Sequence, residues 1–297
     1  MELLDVLTRN QPVFIGLAFV LGLMVGSFLN VVIYRLPEML ERNWKAQCAE
    51  LTGGDHVQPT DRFNLIVPRS RCPKCGHQIS AVENIPVVSY LVLGGKCSAC
   101  RTGIPVRYPL VEMATGVLSA VVAWHMGAHI STLFALIFTW SLVALSGIDL
   151  DTKLLPDAIT MPLLWLGLLV SLSTLSANGQ PVFPALPDAV IGAAAGYLSL
   201  WAVYHLFRII TGKEGMGYGD FKLLAAIGAW LGWQYLPLTI VLSALVGAIL
   251  GGLALAMSGK RSQTPIPFGP FLAAAGWISL LWGDSIMDAY LSFSGLR

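Results

Sequence analysis

Apolar and polar positions alternate along this chain in long blocks. Apolar stretches run over 13–34, 108–126, 130–148, 158–175, 188–210, 221–236, 237–257 and 266–283. Most approach the roughly 17–25 residues that a bilayer-spanning helix needs. The stretch 221–236 is short, and Pro237 separates it from the next, so 221–257 is the least sharply divided part. The pattern predicts an all-α polytopic membrane protein of about eight transmembrane helices. The segment 35–107 between the first two spans is the sizeable polar block. This gives a first helix over 1–34, a loop domain over 35–107 and a seven-helix membrane core over 108–297.

Composition agrees. The chain is 55% hydrophobic and 12% charged, against about 25% charged in soluble domains. Mean hydropathy is +0.69. The net charge of +1 gives no ground for a nucleic-acid partner. Glu2 and Asp5 before the first span do not make the basic start of a cleavable signal peptide.

The distribution of charge orients the spans. Ten Lys and Arg lie in 35–107; Lys153 follows the third stretch; Arg208, Lys213 and Lys222 flank the fifth-to-sixth loop; Lys260 and Arg261 follow the seventh. Arg9 and Arg297 alone fall on the other side. By the positive-inside rule both termini are outside and the 35–107 loop is cytoplasmic.

Two acids sit at the edges of apolar stretches. Asp149 closes one, in Ser146-Gly147-Ile148-Asp149, and Asp220 opens another, in Gly217-Tyr218-Gly219-Asp220-Phe221. Charges near hydrocarbon cost several kcal/mol, roughly 2.5–3.5 on insertion scales, and mark functional sites. The deduced topology puts both acids at the cytoplasmic face. Two facing carboxyls share a proton and activate water for peptide hydrolysis. Asp151 and Asp157 are rivals for the first acid, with solvated-turn and helix-start roles as the plainer account. For Asp220 the plainer account is a helix cap. Helix-end electrostatics favours a charge on Asp220, at a helix start, and disfavours one on Asp149, at a helix end; on that ground Asp149 holds the shared proton. Glu112, inside the second span, is a further candidate for contact with a substrate group.

Four of five cysteines form two pairs in the loop, Cys72-Pro-Lys-Cys75 and Cys97-Ser-Ala-Cys100, with 21 residues between them. Two such knuckles complete a tetrahedral four-thiolate Zn2+ site. Four thiolates leave no open position for water, so the zinc is structural. A redox dithiol, an iron site and two disulfides are the competing assignments; a reducing cytoplasm disfavours the last. The string Gly215-x-Gly217-x-x-Asp220 lacks the third glycine of a dinucleotide fingerprint. His125 and His129 lack a partner acid.

Taken in order, these motifs resemble the bacterial type IV prepilin peptidases, which also N-methylate their products. The resemblance runs nearly end to end. It is carried by Gly26-Ser27-Phe28-Leu29-Asn30-Val31-Val32-Ile33-Tyr34-Arg35-Leu36-Pro37, by Pro68-Arg69-Ser70-Arg71 with the knuckles, and by Asn84-Ile85-Pro86-Val87-Val88-Ser89-Tyr90. Ile104-Pro105-Val106-Arg107-Tyr108-Pro109, Leu154-Leu155-Pro156-Asp157, Gly215-Met216-Gly217-Tyr218-Gly219-Asp220-Phe221-Lys222 and Pro267-Phe268-Gly269-Pro270 complete it. The Gly-x-Gly-Asp motif is similar in form to that of presenilin-like aspartic proteases.

The resemblance implies removal of a short basic leader from type IV prepilins and type II secretion pseudopilins, at the cytoplasmic face of the bacterial inner membrane. The new N-terminal residue is then methylated with S-adenosylmethionine. It implies Asp149 and Asp220 as the catalytic acids, with Gly217 and Gly219 beside them. It also implies participation of the loop around Gly95 in methyl transfer. Glu38, Glu41 and Glu50 are candidate partners for the basic leader. Of the other classes, a proton-coupled transporter with a regulatory zinc loop fits less well, because the acids lie at one face and no repeat of the spans is evident. A scaffold without catalysis leaves the acids without a role.

Overall fold

The computed structural model describes residues 10–52, 62–173, 175–177, 180–258 and 267–295. Among these the architecture is helical: α1 (Gln11–Thr52), the short α2 (Val88–Val92), α3 (Arg107–Met126), α4 (Ile130–Thr152), α5 (Asp157–Val170), α6 (Leu186–Thr211), α7 (Tyr218–Leu231), α8 (Leu236–Ser258) and α9 (Gly269–Phe293). A two-residue pairing, β1 (Ser176–Ala177) with β2 (Gln180–Pro181), closes the turn between α5 and α6. Each of the eight apolar stretches overlaps a helix of 14 residues or more. Among the described residues four helices, α1, α3, α4 and α6, are long and apolar enough to cross a membrane, and α5 is a shorter apolar helix. The chain is a multi-pass membrane protein. The charges at Arg9, Lys260, Arg261 and Arg297 lie outside the described residues.

Two compact units form, Met1–Trp124 and His125–Arg297. The sequence partition placed its boundary at 107/108. The second long helix instead groups with the first unit, because small residues let it pack on α1. A side-chain carbon at Gly22 would stand 2.8 Å from Gly116 Cα, and one at Gly26 would stand 2.7 Å from Glu112 Cα. Close backbone approach of this kind replaces the hydrophobic effect as the source of helix pairing in lipid. Also unlike the sequence reading, α1 does not stop near residue 34. It runs on through Pro37 to Thr52, 42 residues in all. Its polar extension is supported by Arg42 and Lys45 pairing one turn back with Glu38 at 2.9 Å and Glu41 at 2.6 Å. Two of the three candidate leader-binding acids are therefore engaged by their own helix.

In the second unit α7 is the central element. Every residue from Asp220 to Leu231 except Lys222 is buried. Its Trp230 indole donates to the Leu163 carbonyl of α5 at 2.8 Å, and Phe138 and Phe183 pack on its ring. Backbones of α6 and α7 meet where Gly192 faces Gly228 and Gly196 faces Leu224. This glycine seam holds α7, and Asp220 at its start, in a fixed position.

Candidate functional site

The second unit brings three helix ends together. Asp149 lies in the last turn of α4, whose end is closed by Lys153, left-handed at φ 58°, donating its N–H to the Asp149 carbonyl at 2.9 Å. Asp220 lies in the first turn of α7, and its N–H donates to Gly217 O at 3.2 Å. The start of α9 contributes Gly269, whose N–H donates to Asp149 Oδ2 at 3.0 Å. Both carboxyls are buried, at 5% and 7% exposure. Leu155 joins their surroundings: it lies 2.7 Å from where a Cβ at Gly219, next to Asp220, would stand, and 3.2 Å from one at Gly269, the residue bonded to Asp149. Among the described residues Asp220 Oδ1 is buried without a hydrogen-bond partner. Leaving such an oxygen unsatisfied costs about 1–3 kcal/mol, so the position is suited to a bound reactant.

The rival acids are placed differently. Asp157 is exposed and forms an ion pair with Lys222 at 2.7 Å. Asp151 is exposed on the last turn of α4. The two motif glycines also differ. At Gly219 a Cβ would stand 2.7 Å from Leu155 Cβ, whereas at Gly217 it would stand 3.7 Å from Asp220 Oδ2, an ordinary contact. Gly219 is required by the closeness of Leu155; Gly217 only borders the carboxylate.

Gly269 acquires a role that sequence reasoning did not give it. A Cβ there would lie 2.6 Å from Asp149 Oδ2. The signal was present in Pro267-Phe268-Gly269-Pro270, which reads as a helix start with proline in its first turn. What that start would face was not readable from the motif.

In the first unit the four cysteines converge. Their sulfurs all lie within 4.8 Å of one another. Cys72 and Cys100 Sγ are 3.8 Å apart and Cys75 and Cys97 Sγ are 4.0 Å apart. Four sulfurs bound at about 2.3 Å to one zinc ion would stand about 3.8 Å from each other. The thiol set thus fits a tetrahedral ion. The knuckles repeat one backbone design: Cys72 N–H bonds to His77 O and Cys97 N–H to Thr102 O, at 2.9 and 2.8 Å. Gly76 and Arg101, at matching places, are both left-handed. His77 lies 3.3 Å from both Ser98 and Glu83, linking the knuckles. The Ser98 hydroxyl and Ser80 amide hold the Glu83 carboxyl well below the usual range, at about 2.

Gly95 is left-handed at φ 68°, and a Cβ there would stand 2.9 Å from the Tyr90 ring. Glu112 is buried on α3 and accepts the Val87 N–H at 2.7 Å. Both belong to the first unit.

Residues 20–126 match the bacterial peptidase A24 N-terminal domain, and residues 136–252 match the type IV leader peptidase family. The prepilin leader peptidase/N-methyltransferase of Pseudomonas aeruginosa is 56% identical over 297 residues, covering all of both chains. That of Stutzerimonas stutzeri is 55% identical over 98% of this chain and 99% of its own. That of Legionella pneumophila is 47% identical, again over 98% and 99%. No solved structure matches. With two family domains in sequence and relatives aligned end to end, the chain belongs to the type IV leader peptidase family.

Proposed function

We propose that Asp149 and Asp220 are the catalytic pair of an aspartic endopeptidase that removes the leader of type IV prepilins and pseudopilins. The enzyme then N-methylates the exposed residue. The observation that carries the reading is the meeting of two buried carboxyls at three helix ends. Family membership supports the chemistry and leaves the transporter alternative without support.

Hydrolysis needs one carboxylate to take a proton from water and one protonated carboxyl to polarise the scissile carbonyl. Two carboxyls this close share a single proton. The helix-end argument from sequence placed that proton on Asp149. The Gly269 amide favours the opposite assignment, because it donates to Asp149 Oδ2 at the start of α9, where a negative charge is stabilised. In this reading Asp149 is the general base. Asp220, whose Oδ1 has no donor, carries the proton and meets the carbonyl.

Zinc held by Cys72, Cys75, Cys97 and Cys100 would fold the loop rather than react, since four thiolates fill a tetrahedral ion. Methyl transfer is assigned to the first unit, where Gly95 shapes the position of Tyr90. S-adenosylmethionine supplies the methyl group when bound. The charge pattern supports an inner-membrane enzyme with both termini periplasmic, the dyad facing the cytoplasm, and substrates that are themselves bilayer-anchored helices.

The test is intact-mass analysis of a prepilin incubated with S-adenosylmethionine and either wild type, Asp149→Asn or Asp220→Asn enzyme. Leader loss plus one methyl group in wild type, and neither variant cutting, is expected. Cleavage surviving in both variants would sink the assignment of the acids.

A further inference from the structure

The first unit holds a cavity of about 650 Å³, within the 300–1,000 Å³ usual for small-molecule sites. Its lining includes Ser27, Tyr34 and Arg35 of α1, Tyr90 of α2, and Tyr108 and Glu112 of α3. Two of these are buried charges of opposite sign: Arg35 is 8% exposed and Glu112 is 9% exposed. Arg35 donates to the Asn64 carbonyl at 2.9 Å and lies 5.7 Å from the Phe63 ring centre. Glu112 accepts the Val87 N–H at 2.7 Å. Among the described residues neither forms an ion pair, with the other or with anything else. Buried charges are normally paired, and leaving two such groups open in one cavity is costly unless a ligand completes them.

The backbone at Val87 adds a second observation. Val87 adopts φ 59°, ψ −46°, and Val88 N–H bonds to Pro86 O across it at 2.5 Å. Such a γ-turn is rare and strained, the more so at a β-branched residue. Its result is to aim the Val87 N–H at Glu112. Strain of this kind is concentrated at binding and catalytic sites.

We propose that this cavity is the methyl-donor pocket and that Glu112 and Arg35 clamp the amino-acid end of S-adenosylmethionine. Glu112 receives its ammonium and Arg35 its carboxylate. The tyrosines offer faces for the adenine ring. The two charges demand a zwitterion, and the amino-acid end of the donor is one. The proposal rests on the methyltransferase reading, and the experiment separates the two.

Binding of S-adenosylhomocysteine and of 5′-methylthioadenosine, which lacks the amino-acid end, is measured by calorimetry on zinc-loaded full-length enzyme. Wild type, Glu112→Gln and Arg35→Lys are compared, with zinc content and melting temperature as fold controls. Each substitution is expected to weaken S-adenosylhomocysteine tenfold or more and methylthioadenosine less than threefold. Equal weakening of both ligands, or of neither, overturns the clamp. Photolabelling of wild type with radiolabelled S-adenosylmethionine provides a readout free of any variant. Label in peptides containing 27–35 or 105–112 supports the pocket, and label confined to 125–297 overturns it. Displacement of label by a mature pilin N-terminal peptide but not by S-adenosylhomocysteine also overturns it, making the cavity a peptide site. If wild type neither methylates prepilin nor binds either nucleoside, the methyltransferase reading itself falls; if it methylates while the variants bind normally, only the clamp does.

Discussion

The four thiols and the two carboxyls are assembled by opposite means. Each knuckle closes on itself within a few residues, through bonds such as Cys72 N–H to His77 O, and α2 beside it buries no residue. Asp149, by contrast, is positioned by an amide 120 positions away in the sequence, and Asp220 by a helix buried along nearly its whole length. The thiol site has little apolar packing beside it, and its four sulfurs are spaced to be held by an ion. The dyad is held by side chains that pack whether or not any ligand is present. Loss of metal and loss of packing should therefore damage different activities.

The strongest test of that separation is removal of either acid. Asp149→Asn and Asp220→Asn should each lower leader cleavage by about 10²–10⁴-fold, the range for lost acid–base catalysis. Both should still methylate a pilin supplied without its leader, as read by mass spectrometry. Loss of methylation in both variants would break the comparison. Next in size is the metal. Cys97→Ser, or chelation, should expose amides 70–104 to rapid hydrogen exchange, since structural zinc supplies about 10–16 kcal/mol of apparent binding energy. Cleavage should change only a few-fold. Gly269→Ala puts a carbon 2.6 Å from Asp149 Oδ2, and should cost about 1–3 kcal/mol of stability, as overpacking does. It should also reduce kcat for cleavage, at unchanged zinc content. Gly219→Ala should cost a similar amount because of Leu155, whereas Gly217→Ala should cost less, which paired thermal melts will show. Smallest is Lys222→Ala. It removes a partly exposed ion pair with Asp157, worth about 1 kcal/mol or less, and cleavage should be unaffected.

These contrasts explain what was readable in the sequence. The knuckles were legible because each is written within four residues, and their meeting matches the ligand count of one tetrahedral ion. The helices were legible from hydropathy, since each apolar stretch overlaps a helix, although α5 and α7 are only 14 residues long. The continuation of α1 past residue 34 was not. Hydropathy reports where lipid ends, whereas helix continuation depends on local pairs such as Glu41 with Lys45 and on a tolerated Pro37. The acids stood out as charges at apolar edges. The residues alone favour Asp149 over Asp151 and Asp157, because it lies closest to the apolar span; that Asp157 pairs elsewhere was not legible, because its partner Lys222 lies 65 positions away. The role of Gly269 was hidden for a similar reason: a backbone N–H is present at nearly every residue, and only the fold selects one.

Two helices of the second unit, α5 and α7, are 14 residues long. At 1.5 Å per residue each extends about 21 Å, against a hydrocarbon layer of about 30 Å. Both begin with an acid or carry one in the first turn, Asp157 and Asp220. Lipid thins around a helix too short for it, and α5, which exposes Trp165 and Leu169, is the one placed to meet it, α7 being enclosed by its neighbours. The consequence is one of supply: with about 9 Å of the layer left unspanned, bulk water would stand close to the helix starts, and hydrolysis at Asp149 and Asp220, if they are the catalytic pair, would need no dedicated channel.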